Sequence, residues 1–272
     1  MACQRAAVDR VRCRWRAGGT AGQARRGRRE PGRAPLNQRR GCALACVLLL
    51  LQAPAAGAQL PSTAGQNWFV GNVWIQLPHH LRILAAGELN AGTNYSYQQW
   101  TAGAGLAYQW KRVSELTHLI NINSDKESRL VFASGYEYLW TEQEGSTSAE
   151  DRLLLVATPR YRPFGRWLIE DRNRVEFRWV DGDYETRYRN RLAVERDLLV
   201  GSFRFTPYVS AEFFYSFGNN SWDEQQYAVG IQWPFRRVFM VETYYLYQHT
   251  TKAPTGTNVF GLSMNFYLRN GL

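Results

Sequence analysis

Arginine and glutamate side chains alternate with apolar and aromatic ones in two neighbouring segments of the chain. The charged residues at every second position are Arg172, Arg174, Glu176, Arg178, Glu185, Arg187, Arg189 and Arg191. A period of two is typical of β-strands, whose successive side chains point to opposite faces of the sheet. Arginine stays ionised, and its planar group of donors binds carboxylates and other anions in pairs of hydrogen bonds. The pattern therefore predicts a sheet with one face rich in ion pairs.

The Asp181-Gly182 pair between the two segments favours a two-residue hairpin turn. The facing pairs in that register are Arg178 with Glu185, Glu176 with Arg187, Arg174 with Arg189, and Arg172 with Arg191. The first two pairs have opposite charges, whereas the last two have like charges and need carboxylates from other strands or a bound anion. The acids on a matching parity elsewhere are Glu137, Glu212 and Glu242.

About twelve extended segments with turn residues between them can be placed from Phe69 to Leu268. A charged face opposed to an aromatic and aliphatic face suits a barrel wall with lipid outside and a wet lumen inside. A strand that crosses a bilayer needs about 9–11 residues, so about twelve strands fit this length. We therefore predict an all-β fold, a single antiparallel up-and-down transmembrane β-barrel of about 12 strands. Alternating strands also build soluble sandwiches and lipocalin-like barrels, which remain the alternative.

Three details of the barrel follow from the same pattern. The fourth segment, Leu116–Asn123, is short and its periodicity is ambiguous. An even number of strands places both termini on the periplasmic side of the membrane. The connections Thr141–Glu150 and Thr250–Thr257 are the longest, as is typical of external loops.

The first 58 residues differ in composition from the rest of the chain. They hold all four cysteines and 12 of the 33 basic residues, so residues 59–272 are close to neutral and the basic pI does not indicate nucleic-acid binding. Arg39-Arg40, a short apolar run and Ala56-Gly57-Ala58 form the three parts of a secretory signal peptide. We predict cleavage near Ala58, a barrel domain over residues 59–272, and location in the outer membrane of a Gram-negative bacterium. For residues 1–35, rich in arginine and glycine, we hypothesise a true start near Leu36.

The predicted inward charges support two functions. The first is a structural or interaction barrel whose lumen is closed by a network of Arg172, Arg174, Glu176, Arg178, Glu185, Arg187, Arg189, Arg191, Glu212 and Glu242. The second is a small channel that prefers anions, with Arg172, Arg174, Arg189 and Arg191 as the attracting surface. Outer-membrane lipids and, during biogenesis, the barrel-assembly machinery are the expected partners.

A lipid-modifying barrel enzyme is a third function, which would need a serine paired with a histidine. After residue 58 the chain has four histidines, His79, His80, His118 and His249, and no Gly-x-Ser-x-Gly sequence. The adjacent His79 and His80 would point to opposite faces of a strand, which does not suit a metal site. We therefore predict no catalytic residue, no metal site and no cofactor.

Several segments resemble, in the same order along the chain, those of the DUF2490 family. They are RNRVEFR at 172–178, RYRNRL at 187–192, PYVSAEFF at 207–214, the strand at 227–234 and YYLYQ at 244–248. The resemblance covers about Trp68 to Leu268. It implies a bacterial outer-membrane-type β-barrel whose molecular activity is not established.

Overall fold

The computed structural model describes residues 64–93, 97–112, 123–235, 238–251 and 256–269. The chain divides into two units, residues 1–58 and 59–272, and all the described residues belong to the second. The predicted leader and signal peptide therefore lie outside the described residues, as does His118.

Twelve strands and one short 3-10 helix make up the described part of the chain. The strands are β1 (Ala64–Gln76), β2 (Leu81–Gly92), β3 (Tyr97–Arg112), β4 (Ser128–Gln143), β5 (Ser146–Tyr161), β6 (Trp167–Val180), β7 (Asp183–Arg196), β8 (Leu198–Val200), β9 (Phe203–Ser216), β10 (Ser221–Phe235), β11 (Phe239–Thr250) and β12 (Thr257–Arg269). The 3-10 helix, Ser124–Glu127, precedes β4. The predicted all-β fold of about twelve strands is confirmed.

Eleven of these strands close into a barrel. Each hydrogen-bonds in antiparallel fashion to its neighbour from β1 to β7, then β7 pairs with β9, and pairing continues in order to β12. The three-residue β8 follows a break at Asp197 and pairs with the start of β9, so it is not a further strand of the closed ring. The barrel closes by a parallel pairing of β1 with β12. The sheet is therefore mixed, with one parallel seam in an otherwise up-and-down barrel.

The parallel seam corrects the predicted position of the termini. Ala64 pairs with Thr257 and Gln76 with Arg269, so β1 begins at one end of the barrel and β12 finishes at the other. In any up-and-down barrel with an odd number of strands, the first strand begins and the last strand ends at opposite ends, whatever the length of the loops. We call the end where β1 begins the first mouth and the opposite end the second mouth.

The predictions about the connections have different outcomes. The segment Leu116–Asn123 lies outside the described residues apart from Asn123, and the short β8 was not predicted. The predicted loop Thr141–Glu150 is a two-residue turn at Glu144–Gly145, because β4 and β5 continue through the polar residues on both sides of it. Half of the predicted loop Thr250–Thr257, residues 252–255, lies outside the described residues.

The hairpin between β6 and β7 has the predicted register. Its two turn residues have positive φ angles, 50° at Asp181 and 95° at Gly182. These angles match the twist of the flanking strands, and glycine adopts them without strain. The register then places Arg178 opposite Glu185 and Arg174 opposite Arg189.

Polarity is inverted relative to a water-soluble barrel. Sixteen of the 26 buried residues other than glycine are polar or charged, and thirty large hydrophobic side chains are exposed on the outside or in turns. Aromatic side chains gather on the outer face near both mouths, with Trp100 and Trp179 near the first, and Trp110 and Phe235 near the second. No helix in the part of the chain that the structure describes is long and apolar enough to cross a bilayer.

Candidate functional site

The lumen contains most of the charged side chains of β6 and β7. All ten residues predicted for the network occupy the alternate strand positions that face the lumen, which we call the inward parity. The exposed apolar side chains occupy the other positions, the outward parity. Nine of them form ion pairs with one another or with further lumen residues, and the exception is Glu242. Eight of the nine belong to one connected network along one wall of the barrel, and Arg191 belongs to a neighbouring group with Glu170 and Arg160.

Glu176 is the centre of this network. Its side chain is fully buried, with 0% exposure, and its carboxylate lies 2.8 Å from Arg174, 2.7 Å from Arg187 and 3.0 Å from Arg189. A buried carboxylate is strongly destabilising unless cations and hydrogen-bond donors surround it. Three guanidinium groups meet that requirement here.

The like-charged pairs of the hairpin obtain carboxylates from neighbouring strands. Glu212 on β9 accepts hydrogen bonds from Arg172 and Arg189, both at 2.9 Å. Arg174 reaches Glu137 on β4 at 2.9 Å. These two acids were among the candidates drawn from the sequence.

Two acids of the network were missed by the sequence analysis. Glu170 on β6 binds Arg191 at 3.3 Å and Arg160 on β5 at 2.7 Å. Glu150, which had been assigned to a loop, belongs to β5 and binds Arg152 and Arg178 near the first mouth. Both residues occupy lumen-facing positions of their strands, which was the available signal. The assumed loop hid this for Glu150, whereas Glu170 lay within the predicted strand and was overlooked.

Glu242 on β11 has a different partner from the other acids. It accepts a hydrogen bond from the Tyr208 hydroxyl at 2.5 Å, and Tyr208 lies on β9. The intervening strand β10 presents Gly230, at which an added Cβ would lie 2.7 Å from the Tyr208 ring. The absence of a side chain at Gly230 therefore lets Tyr208 cross β10 and reach Glu242.

One aromatic side chain lies inside the charged network. Phe214 on β9 is only 1% exposed. The guanidinium carbons of Arg189 and Arg187 lie 4.3 and 5.2 Å from its ring centroid. Cation–π contacts of this kind offset part of the cost of desolvating the two cations.

The 3-10 helix lies across the second mouth, and we call residues 123–127 the plug. Asp125 forms a salt bridge of 2.5 Å with Arg82 on β2, and the two side chains are only 8% and 2% exposed. Gln109 on β3 donates to Ser124 at 2.8 Å and to Asp125 at 2.7 Å. Ser124 in turn donates to Gln76 on β1 at 2.9 Å. These contacts fix one side of the plug to β1, β2 and β3.

The other side of the plug is held by Lys126. Its ammonium group lies 2.6 Å from Glu195 on β7 and donates to Gln232 on β10 at 2.7 Å. Arg162, in the connection between β5 and β6, donates to the Lys126 carbonyl at 3.0 Å. The plug is thus bonded to strands on both sides of the lumen, an arrangement that the sequence analysis did not predict.

A cavity of about 440 Å³ lies inside the barrel beside the plug. Asp125 and Lys126 of the plug line it, together with Arg172 and Arg191 of the network and with Glu242. The lumen is therefore partly filled rather than solid.

Each basic side chain in the described lumen has an acidic partner within 3.3 Å. They are Arg82, Lys126, Arg152, Arg160, Arg172, Arg174, Arg178, Arg187, Arg189 and Arg191. Three inward carboxylates, Glu88, Glu224 and Glu242, form no ion pair with any residue that the structure describes. Together with the eight carboxylates of the ion pairs, they give eleven acidic against ten basic side chains, so the described lumen has no surplus of positive charge.

The described histidines lie in a turn and on the outer face of the barrel. His79 and His80 occupy the turn between β1 and β2 with φ angles of 58° and 63°, and His249 lies on the outward parity of β11. Within the described ranges, no group of three or more histidine, cysteine, aspartate or glutamate side chains is arranged to hold a metal ion.

Comparison with known families gives a match over most of the chain. The family described as Protein of unknown function (DUF2490) matches residues 65–259, which span strands β1 to the start of β12. The chain belongs to the DUF2490 family. The match includes the Arg-rich hairpin of this DUF2490 protein, its plug and the network acids on β4, β5, β9 and β11. No curated protein matches the chain.

Proposed function

We propose that this DUF2490 protein is a non-enzymatic β-barrel of the Gram-negative outer membrane with a structural or interaction role. In this proposal, ion pairs and the plug close its lumen. The observation that carries the proposal is the pairing of every basic side chain in the described lumen with a carboxylate, together with a plug bonded to both sides of the second mouth.

The inverted polarity supports a membrane location. In a soluble lipocalin-like barrel the apolar parity faces inward and the polar parity meets water. Here Leu106, Leu155, Val209, Val229 and Phe260 are between 46% and 65% exposed on the outer wall. Contiguous apolar surface of this extent is rare on soluble monomers and is the normal surface of a barrel in lipid.

The leader supports delivery to that membrane. The proposed signal peptide directs export and is cleaved near Ala58, and the assembly machinery then inserts the barrel among outer-membrane lipids. The described part of the chain contains no cysteine, as suits an oxidising compartment.

The contacts of the arginines argue against the anion-preferring channel. That function needs surplus cations, yet Arg172, Arg174, Arg189 and Arg191 each lie within 3.3 Å of a carboxylate. The described lumen therefore offers no unpaired cation to attract anions. We therefore favour the closed barrel.

Gel migration and conductance measured on one purified sample test the proposal. A folded barrel should migrate faster before boiling than after it, should require detergent, and should carry no steady current in a planar bilayer. Solubility without detergent and an unchanged band would refute the membrane barrel. A steady anion current would refute the closed lumen while leaving the membrane barrel in place.

A further inference from the structure

The Arg-Asn-Arg sequence occurs once on each strand of the charged hairpin, and its central residue points outward. In 172–174 and 189–191 the arginines enter the lumen, so Asn173 and Asn190 belong to the outer face. The two asparagines lie directly opposite each other. They are the seventh residue of β6 and the eighth of β7, each 14 residues long, and so lie at mid-height of the barrel wall.

These asparagines form a hydrogen-bonded cluster with two neighbours, Asp171 and Tyr188, which we call the outer polar cluster. Asn190 donates to Asp171 at 2.6 Å and to Asn173 at 3.2 Å. Tyr188 donates its hydroxyl hydrogen to Asn173 at 2.5 Å. The only donor bond from the Asn173 amide is a long one, 3.4 Å, to the Asp171 carbonyl.

The outer polar cluster leaves hydrogen-bonding capacity unused. One carboxylate oxygen of Asp171, the side-chain oxygen of Asn190 and one amide hydrogen of Asn173 have no partner among the residues that the structure describes. If the proposed membrane location holds, on which this inference rests, these groups face hydrocarbon. Polar and ionisable groups there are costly and typically serve contacts with another protein or with a substrate.

A depression in the outer wall adjoins the outer polar cluster. It has a volume of about 540 Å³ and includes Asn173 and Tyr188 in its lining. Small residues, Ser134 and Ala157, lie within it beside the larger Phe132 and Leu155. Polar groups next to a recess flanked by bulky apolar side chains form a surface that a second rigid wall can pack against.

We propose that the outer polar cluster and the adjoining depression form the contact between two copies of this chain within the membrane. The cluster carries both unused acceptors and an unused donor, so it is complementary to itself. Across a two-fold axis, the free Asn173 hydrogen of each copy meets an acceptor on Asp171 or Asn190 of the other. Lipid headgroups lie at the bilayer surfaces and do not reach mid-height, which favours a protein partner. A chain of another kind would need matching groups that nothing in this surface specifies.

Cysteine cross-linking in native membranes tests the contact. Leu192 lies on the outer face opposite Asp171, and the chain after residue 58 has no cysteine. L192C should yield a disulfide-linked dimer under oxidising conditions. The matched control T243C lies on the outer wall at β11 and should stay monomeric. In detergent, N173L combined with N190L should weaken dimerisation about tenfold or more, because each change acts twice across the axis, whereas T243L should not alter it.

The outcomes separate this inference from the proposed function. A heat-modifiable barrel that is monomeric, with no cross-link at L192C, would overturn the dimer and leave the membrane barrel standing. A cross-link from L192C to a different protein would also overturn it. Solubility without detergent would remove the membrane barrel itself, and with it the reason for a contact at this height.

Discussion

Removing the negative charge of Glu176 is the most direct test of the lumen network. Glu176→Gln keeps the size of the side chain but leaves three guanidinium groups around a neutral amide. Arg189 keeps Glu212 at 2.9 Å, and Arg174 keeps Glu137 at 2.9 Å. Arg187 forms its only ion pair in the described structure with Glu176, and retains the Phe214 ring at 5.2 Å.

The expected loss is that of one buried cation without its partner. Breaking a buried ion pair by removing one member typically costs about 3–5 kcal/mol, and we expect a value in this range for the free energy of unfolding of Glu176→Gln. Replacing both members, as in Glu176→Gln with Arg187→Met, should recover part of the loss, because no buried charge is then left alone.

Unfolding of the barrel in lipid vesicles by the denaturant guanidinium chloride, followed by tryptophan fluorescence, measures the effect. Glu185→Gln is the matched control on the same hairpin, since Glu185 is 33% exposed and pairs with Arg178 at 3.2 Å. We expect about 1 kcal/mol or less for that partly exposed pair. Equal losses of unfolding free energy for Glu176→Gln and Glu185→Gln would refute the reasoning. It would also be refuted if adding Arg187→Met to Glu176→Gln lowered the free energy of unfolding further instead of recovering part of it.

Three further predictions concern the plug, a close approach and a turn. Asp125→Ala removes the 2.5 Å salt bridge to Arg82, and we expect the folded variant to pass current in a planar bilayer where the unaltered protein is silent; a silent variant would show that the plug does not close the lumen. Gly230→Ala should cost about 1–3 kcal/mol, since its Cβ would lie 2.7 Å from the Tyr208 ring. Gly87→Ala, whose Cβ meets only a carbonyl oxygen at 3.8 Å, is the control, and equal unfolding midpoints for the two would contradict the argument. Gly182→Ala should lower stability by about 1–2 kcal/mol, measured in the same unfolding assay, because φ is 95° there; an unchanged midpoint would show that this turn does not require glycine.

The charged hairpin shows how much local sequence can establish. Asp181-Gly182 selects a two-residue turn, and a two-residue turn fixes the register of the strands that it joins. The pairing of Arg178 with Glu185 and of Glu176 with Arg187 could therefore be predicted, because those residues are close both in sequence and in space.

Partners on other strands could be predicted only in part. Glu137 and Glu212 stood on a suitable parity, but their choice of Arg174 and Arg172 depends on the registers of several successive strand pairs. Glu150 was misplaced because polar residues extend β4 and β5 beyond the apolar alternation. Hydrogen bonds of the sheet continue there without an apolar face to mark them.

By itself the sequence determined the type of structure: strands of period two, one charged face, one apolar face, and the register of the β6–β7 hairpin. Tertiary structure alone decided the number of strands in the closed barrel, the parallel seam between β1 and β12, and the position of the plug. The physical reason is the distance along the chain over which each effect acts. Alternation and turn geometry act over a few neighbouring residues, whereas closure of a barrel and the bond between Asp125 and Arg82 depend on strands that meet only after the whole sheet has formed.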